Sequence, residues 1–283
     1  MPLTPHRRVF HCRRTTDNAR RPREGGDPAT SAPITAKSLV PRLRGGDERT
    51  FPGQQCAFAG MTARMLSAIL LTVFALAAQA EPATVASVES PGHVLRVSLH
   101  LDGGRASYTV ERFGETVVAP SQLGFQLRNG RLDRDFVLLD QSASKHDETW
   151  EQPWGERRYV RNRYNALTVR LAERGGLKRR LDVEFRVYDD GLGFRYRFPE
   201  QASMREAVID DELTEFAIAP ESTAWWIPAG EPIHYEYLYR RTPLDEVPLA
   251  HTPLTLRSRD GLHVAIHEAA LVDYSGMNLT RVD

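Results

Sequence analysis

The side chains best suited to chemistry gather in the last third of the chain. Residues 224–239, AWWIPAGEPIHYEYLY, form its densest aromatic stretch, and a single carboxylate, Glu236, lies there between two tyrosines. The two prolines and the glycine of this stretch predict a loop. A carboxylate in such a loop can act as a general acid, bind a metal ion or be an ordinary solvated residue. The residues alone leave these three uses open.

A second candidate stretch is residues 263–277, HVAIHEAALVDYSGM. The pair His267 and Glu268 suggests a zinc protease, but the HExxH motif needs a second histidine at the position of Leu271. That class of metal site is therefore excluded. His267 and Glu268 still place polar groups at the end of a predicted strand.

A third stretch, residues 147–165, holds Trp150, Trp154 and Tyr159 among charged residues, with little periodicity. Aromatic rings in a loop can stack on the faces of sugars. They can equally fill the open end of a sandwich, and we expect this second role here.

Several function classes are excluded by what the chain lacks. It has no phosphate-binding glycine loop, no G-x-S-x-G nucleophile motif and no dinucleotide fingerprint. Residues 1–60 carry 11 Lys and Arg against 5 Asp and Glu, whereas the part after residue 80 is acidic. An acidic domain is a poor partner for a phosphate backbone, so we expect no nucleic acid as a ligand.

The N-terminal quarter has the features of a targeting region. Residues 61–80 combine a short basic start, an apolar run and the small-residue sequence that ends at Ala80, which predicts a signal peptide. We therefore expect a periplasmic or secreted protein that begins at residue 81. The apolar run is shorter than the roughly 20 residues of a membrane span, so no span remains after cleavage. We interpret residues 1–60 as a disordered leader from a mis-called gene start.

The elements that must position the candidate residues are strands. In residues 181–199, apolar and charged side chains alternate on both sides of Asp189-Asp190-Gly191, which predicts an antiparallel hairpin with positive φ at Gly191 and Gly193. Similar short runs recur between turn signals and predict an all-β antiparallel sandwich. The period of residues 204–216 fits a helix and strands about equally. Because the chain stops at Asp283 within such a run, we expect the sandwich to be incomplete there.

Several sequence segments resemble those of the N-terminal domain of glycoside hydrolase family 97. They are DETWEQPWGERRYVRNRYNALTVRL, FRVYDDGLGFRYRFPE, AWWIPAG, HYEYLY and DGLHVAIHEAALVDYSGM, in this order. The resemblance implies a large β-sandwich like galactose mutarotase over residues 81–283, and it favours strands in 204–216. It also implies an exported enzyme that hydrolyses α-glucosides or α-galactosides through carboxylates of a C-terminal (β/α)8 barrel, which this chain lacks. In that family Glu236 matches a glutamate that binds calcium in the active site.

Three hypotheses follow for the chain itself. In the first it is the N-terminal part of such a glycosidase, holds no catalytic residue and is inactive without its barrel. In the second it is a free-standing module that binds an α-linked oligosaccharide. In the third it is an inactive gene remnant. The residues expected to contact sugar, from the aromatic stretch and the family motif, are Trp225, Trp226, Tyr235, His267 and Glu268.

Overall fold

The computed structural model describes residues 8–14, 83–231, 234–270 and 274–282. Within these residues the regular elements are 19 strands and one short 3-10 helix, Leu244–Glu246. The first eleven strands are β1 Arg8–Arg14, β2 Ala83–Glu89, β3 Leu95–Asp102, β4 Arg105–Arg112, β5 Glu115–Gln122, β6 Phe125–Leu127, β7 Gly130–Leu132, β8 Phe136–Glu151, β9 Tyr159–Glu173, β10 Arg180–Val187 and β11 Leu192–Arg197. The remaining eight are β12 Ile209–Glu212, β13 Glu215–Ile218, β14 Thr223–Trp226, β15 Arg240–Pro243, β16 Leu249–His251, β17 Leu254–Arg257, β18 His263–Ile266 and β19 Met277–Val282.

Two large antiparallel sheets face each other. One has the strand order β16-β19-β1-β13-β5-β4-β3-β2, and the other has the order β11-β10-β9-β8. Between them the ring of Tyr108 on β4 lies 6.3 Å from Phe185 on β10 and 5.3 Å from Phe194 on β11. The predicted all-β sandwich is therefore confirmed, and its core is the layer of apolar side chains between these sheets.

Two smaller sheets complete the fold, with orders β12-β6-β7 and β15-β14-β17-β18. The second of these contributes Trp226, Leu254 and Leu256 to the same apolar core. The ambiguous residues 204–216 hold β12 and the start of β13, so strands are the correct choice there. No helix among the described residues is long and apolar enough to cross a bilayer.

The hairpin predicted in residues 181–199 is confirmed as β10 and β11, with Phe185 opposite Phe194. Its turn differs from the prediction, because neither Gly191 nor Gly193 has a left-handed φ. Gly193 is instead a strand residue opposite Arg186. The alternation of side chains predicted the two strands correctly. The glycines of the turn did not predict its backbone conformation.

The first hairpin of this sheet extends far past its neighbour. β8 and β9 pair from Phe136 opposite Glu173 to Glu151 opposite Tyr159, whereas β10 pairs with β9 only as far as Asn165. We name the free part, residues 146–164, the distal hairpin. Its rings Trp150, Trp154 and Tyr159 are 47%, 81% and 58% exposed. The expectation that these rings fill the end of the sandwich is wrong, because they face solvent.

The eight-stranded sheet has a narrow seam between β5 and β13, whose ladder consists of one residue pair, Ala217 opposite Ala119. Side chains make the other links. The Ser121 hydroxyl accepts the amide of Ala217 at 2.9 Å, and the Glu215 carboxylate accepts the amide of Gln122 at 3.0 Å. Side chains of particular types thus replace part of the backbone ladder at this seam.

The N-terminal strand β1 lies between β13 and β19 and is antiparallel to both. The expectation of a disordered leader is therefore wrong for residues 8–14. The rest of the leader from residue 15, the signal peptide at 61–80 and its cleavage site after Ala80 lie outside the described residues. The last strand, β19, is not an edge strand, because β16 and β1 flank it on its two sides.

Candidate functional site

The candidate residues converge on one end of the sheet β15-β14-β17-β18. In this antiparallel sheet Trp225 of β14 lies opposite Thr255 of β17, and Leu254 lies opposite Ile266 of β18. The end of β14, the start of β17 and the end of β18 are therefore neighbours. The loop between β14 and β15, which carries Tyr235 and Glu236, leaves this end, and so do His267 and Glu268 after β18.

The two adjacent tryptophans of β14 face opposite ways, as successive strand residues must. Trp226 is 2% exposed and belongs to the core, and its indole N–H donates to the Thr242 hydroxyl at 3.1 Å. Trp225 is half-buried, with the Arg241 guanidinium 5.5 Å from its ring centre. The sugar-stacking role expected for Trp226 does not fit its burial, whereas Trp225 keeps part of its ring accessible.

Tyr235 is held by its hydroxyl while its ring stays half exposed. The hydroxyl donates to the carbonyl of Thr252 at 2.9 Å, and the ring centre lies 4.5 Å from that of His251. Because the chain is anchored at Tyr235, the next residue is presented at the surface. Glu236 is exposed, and its carboxylate accepts the amide of Tyr235 at 3.4 Å.

His251 is a member of this site that the sequence did not reveal. It lies on β16, where burial lowers the pKa of its imidazole and a hydrogen bond with Asn278 acts in the opposite direction. Its Nε2 atom is buried without a hydrogen-bond partner. A neutral imidazole is thus favoured beside the Tyr235 ring. No motif surrounds His251, so only its contact in the folded chain identifies it.

His267 and Glu268 have different surroundings in the fold. The Glu268 carboxylate accepts the amide of Met277 at 3.2 Å, and this bond ties the end of β18 to the start of β19. His267 is exposed. The geometry therefore gives Glu268 a structural bond and leaves His267 as a solvent-facing group at the same end of the sheet.

A metal ion would find an incomplete site here. Within the described residues there is no group of three or more His, Cys, Asp and Glu side chains that could hold one. An exposed carboxylate such as Glu236 is the oxygen ligand that Ca²⁺ prefers, but calcium takes 6–8 oxygen ligands. Glu236 by itself is therefore far short of such a ligand set.

The family model Glycosyl-hydrolase 97 N-terminal matches residues 88–282. Among solved structures, a glycoside hydrolase family 97 enzyme from Pseudoalteromonas sp. strain K8 in complex with panose is 38% identical, with a TM-score of 0.67 over 69% of this chain and 30% of that one. A beta-arabinopyranosidase, 23% identical with a TM-score of 0.61 over 70% of this chain and 35% of that one, shares the fold.

Two curated relatives have similar names. The retaining alpha-galactosidase of Bacteroides thetaiotaomicron is 27% identical over 69% of this chain and 30% of its own length. The probable retaining alpha-galactosidase of Streptomyces bingchenggensis is 29% identical over 58% of this chain and 26% of its own length. The chain thus spans less than a third of these relatives. Since the family model covers most of the described strands, the chain belongs to the Glycosyl-hydrolase 97 N-terminal family.

Proposed function

We propose that this chain is the sandwich domain of an exported α-glycosidase and that it completes the active site on a catalytic barrel. The observation that carries the proposal is the exposed Glu236, presented beside the anchored Tyr235 at the end of the sheet where the candidate residues converge. A domain that served only as a spacer would need no anchored aromatic loop with a carboxylate at its surface.

The substrate class is an α-linked oligosaccharide. Two relatives are named as retaining alpha-galactosidases, and panose is bound to the family 97 enzyme of Pseudoalteromonas. Trp225 and Tyr235 each offer a partly exposed ring for the apolar face of a sugar. These rings could contact either an α-galactoside or an α-glucoside, so hydrolysis should be assayed with both.

The chain by itself would not turn over these substrates. Glycoside hydrolysis needs a pair of carboxyl groups on either side of the scissile bond, and the family resemblance places that pair on the catalytic barrel, not at Glu231 and Glu236 of the aromatic loop. We assign Glu236 to the calcium ion, where it would supply one oxygen ligand. The bound ion would supply positive charge at the sugar, and this chain's part is to hold the carboxylate in place through Tyr235.

Export fits this role, because oligosaccharide substrates are found outside the cytoplasm. The apolar run that ends at Ala80 supports cleavage there and a periplasmic or secreted location. The exported polypeptide that carries the sandwich should then begin at Glu81 in N-terminal sequencing. A polypeptide in which residues 1–60 are still covalently joined to Glu81 would contradict this part of the proposal.

A domain exchange tests the proposal directly. Residues 8–282 would replace the matching N-terminal domain of the Pseudoalteromonas enzyme, so that β1 stays with its sheet. Hydrolysis of p-nitrophenyl α-glucoside and α-galactoside would be followed with and without calcium. We expect activity in the exchanged enzyme, and its loss together with calcium binding in Glu236→Gln. Glu231→Gln, an exposed glutamate of the same loop, is the control and should keep both.

The outcomes of this exchange separate the two claims. A soluble, folded exchanged enzyme without activity would contradict the role of the domain. Unchanged calcium affinity in Glu236→Gln, measured by calorimetric titration, would remove Glu236 from the metal site and leave the domain role intact. Hydrolysis by the 283-residue chain alone would contradict the assignment of catalysis to the barrel.

The distal hairpin favours a second function, sugar binding by the chain itself. Trp154 is 81% exposed, and an exposed aromatic ring of this kind is a suitable platform for a pyranose. Titration of maltotriose or raffinose into the chain should change its tryptophan fluorescence, and Trp154→Ala should abolish the change. Phe113→Ala, at another exposed aromatic ring, is the control. Equal responses of the two variants would reject this site.

A further inference from the structure

The groove between β13 and β19 is lined by backbone groups on both of its walls. β1 fills it with four residue pairs along β13 and six along β19, all antiparallel. Phe10, the third of its seven residues, has no exposed surface and lies opposite Phe216 on one side and Arg281 on the other. This is the pairing of an interior strand, since both of its edges are used.

Removal of β1 would divide the eight-stranded sheet. In the described strand order β1 is the link between the pair β16-β19 and the remaining strands. Its loss would leave a row of unpaired N–H and C=O groups on β13 and another on β19, and would also leave a cavity the size of the Phe10 side chain. Buried backbone groups without partners and open strand edges are both unfavourable, and such edges recruit another strand.

The position of β1 in the sequence makes this groove unusual. The strand ends at Arg14, and the remaining strands begin at Ala83, after the apolar run of residues 61–80. A cut after Ala80 therefore separates the strand that fills the groove from the sheet that accepts it. Nothing in the fold requires the two parts to remain covalently joined, because the strand is held by ladder bonds on both sides and by a buried aromatic side chain.

From this we infer that the β13–β19 groove is a strand-acceptor site, and that its occupant is the segment of residues 8–14 of this chain. The occupant is recognised as an extended segment with a large apolar side chain, Phe10, at its third position, by the mode in which a peptide is added to a sheet. The bond is non-covalent and persists after the chain is cut. This inference is independent of the proposed glycosidase role.

The test uses the full chain with a protease recognition sequence inserted between Ala80 and Glu81. The folded protein is cut and then passed over a gel-filtration column in native buffer. We expect the piece 1–80 to elute together with the piece 81–283, and to separate from it only in denaturant. Elution of the leader as a free peptide from the cut protein with its native Phe10 would overturn the inference.

Two variants show whether the groove itself retains the leader. Phe10→Asp places a charge in the buried position, and we expect loss of co-elution together with self-association of the piece 81–283. Phe10→Leu keeps an apolar side chain there and should retain the leader, which covers the case in which the aspartate variant fails to fold. Phe113→Asp, on the exposed turn between β4 and β5, is the matched control and should behave as the native chain.

Hydrogen exchange on the uncut chain gives an independent reading. Amides of β13 and β19 that face β1 should be protected in the native chain and lose their protection in Phe10→Asp, whereas amides of β3 and β4 should be unaffected. Equal protection of β13 and β19 in the two proteins would also overturn the inference.

Discussion

Two pairs of tryptophans in this chain have opposite surroundings. Trp225 and Trp226 belong to a short strand with neighbours on both sides, and Trp226 is 2% exposed. Trp150 and Trp154 belong to the distal hairpin, where β8 and β9 pair only with each other, and Trp154 is 81% exposed. Both stretches are aromatic and charged in sequence. What differs is the number of layers that cover the strand.

The comparison teaches that residue type alone does not separate a core tryptophan from a surface one. A strand covered by a second layer must bury one of any two successive side chains. At its tip, a two-stranded hairpin that extends beyond its sheet has no layer over it, so the rings of Trp150 and Trp154 remain available to a ligand or another domain. The same residue type thus contributes to stability in one region and to recognition in the other.

The largest expected difference is in folding stability. Trp226→Ala removes a buried aromatic side chain and its bond to Thr242, and should reduce the free energy of unfolding by about 3–5 kcal/mol. Trp154→Ala should change it by less than about 0.5 kcal/mol, as exposed substitutions do. Urea unfolding followed by circular dichroism measures both. Equal losses in the two variants would show that the distal hairpin is covered in solution.

Carboxylates show the same contrast between buried and exposed regions, and the buried one predicts a loss of stability at low pH. The Asp133 carboxylate has no exposed surface, and hydrogen bonds from Arg131 and Arg134 outweigh burial and lower its pKa to about 2. A carboxyl whose pKa is lowered on folding stabilises the protein above its unfolded pKa, and that contribution is lost as the pH falls from about 4 to about 2. Asp133→Asn should therefore cost about 2 kcal/mol at pH 7 and much less at pH 2.

The matched exposed carboxylate is Asp147 of the distal hairpin, which accepts two hydrogen bonds from Arg161. Solvent screens this pair, so Asp147→Asn should leave the free energy of unfolding at pH 7 unchanged within error. Denaturant unfolding from pH 2 to pH 7 on both variants provides the measurement. A larger effect at Asp147 than at Asp133 would reverse the contrast between the two regions.

Much of the fold could be predicted from the sequence, and the elements that were missed have no local sequence pattern that marks them. The hairpin of residues 181–199 was predictable because one face is buried, so apolar and charged side chains alternate. The distal hairpin was expected to be a loop, because most of its side chains are exposed whichever way they point and no alternation marks it. β1 was missed because its partners lie far away in sequence: Phe10 pairs with Phe216 of β13 and with Arg281 of β19.

The candidate site also contains residues that the sequence identifies and residues that only the fold identifies. Glu236, Tyr235 and Trp225 were identified from residue type, and their exposure agrees with a role in binding. The orientation of Trp226 depends on which face of β14 meets the core, and β14 is too short to reveal this in sequence. His251 comes from a different sheet, so only the folded chain brings it to the ring of Tyr235.

The smallest expected effect is a pH dependence of stability that arises from His251, beside Tyr235 in the candidate site. Burial lowers the pKa of His251, so the folded state binds fewer protons there than the unfolded state, and stability falls as the pH drops below about 6.5. The melting temperature of the native chain should therefore fall slightly more between pH 7.5 and 5.5 than that of His251→Gln. Parallel melting curves for the two proteins would exclude this contribution.

The seam between β5 and β13 has a consequence for how this domain can vary over evolutionary time. Elsewhere in the sheet the strands are joined by backbone groups that nearly every residue provides, so sequence drift leaves those joints intact. At the seam the joint is made by the Ser121 hydroxyl and the Glu215 carboxylate. Loss of either side chain removes a link that no neighbouring backbone group replaces. We expect the exposed positions of this sheet to tolerate substitution and the positions of Ser121 and Glu215 to tolerate very little.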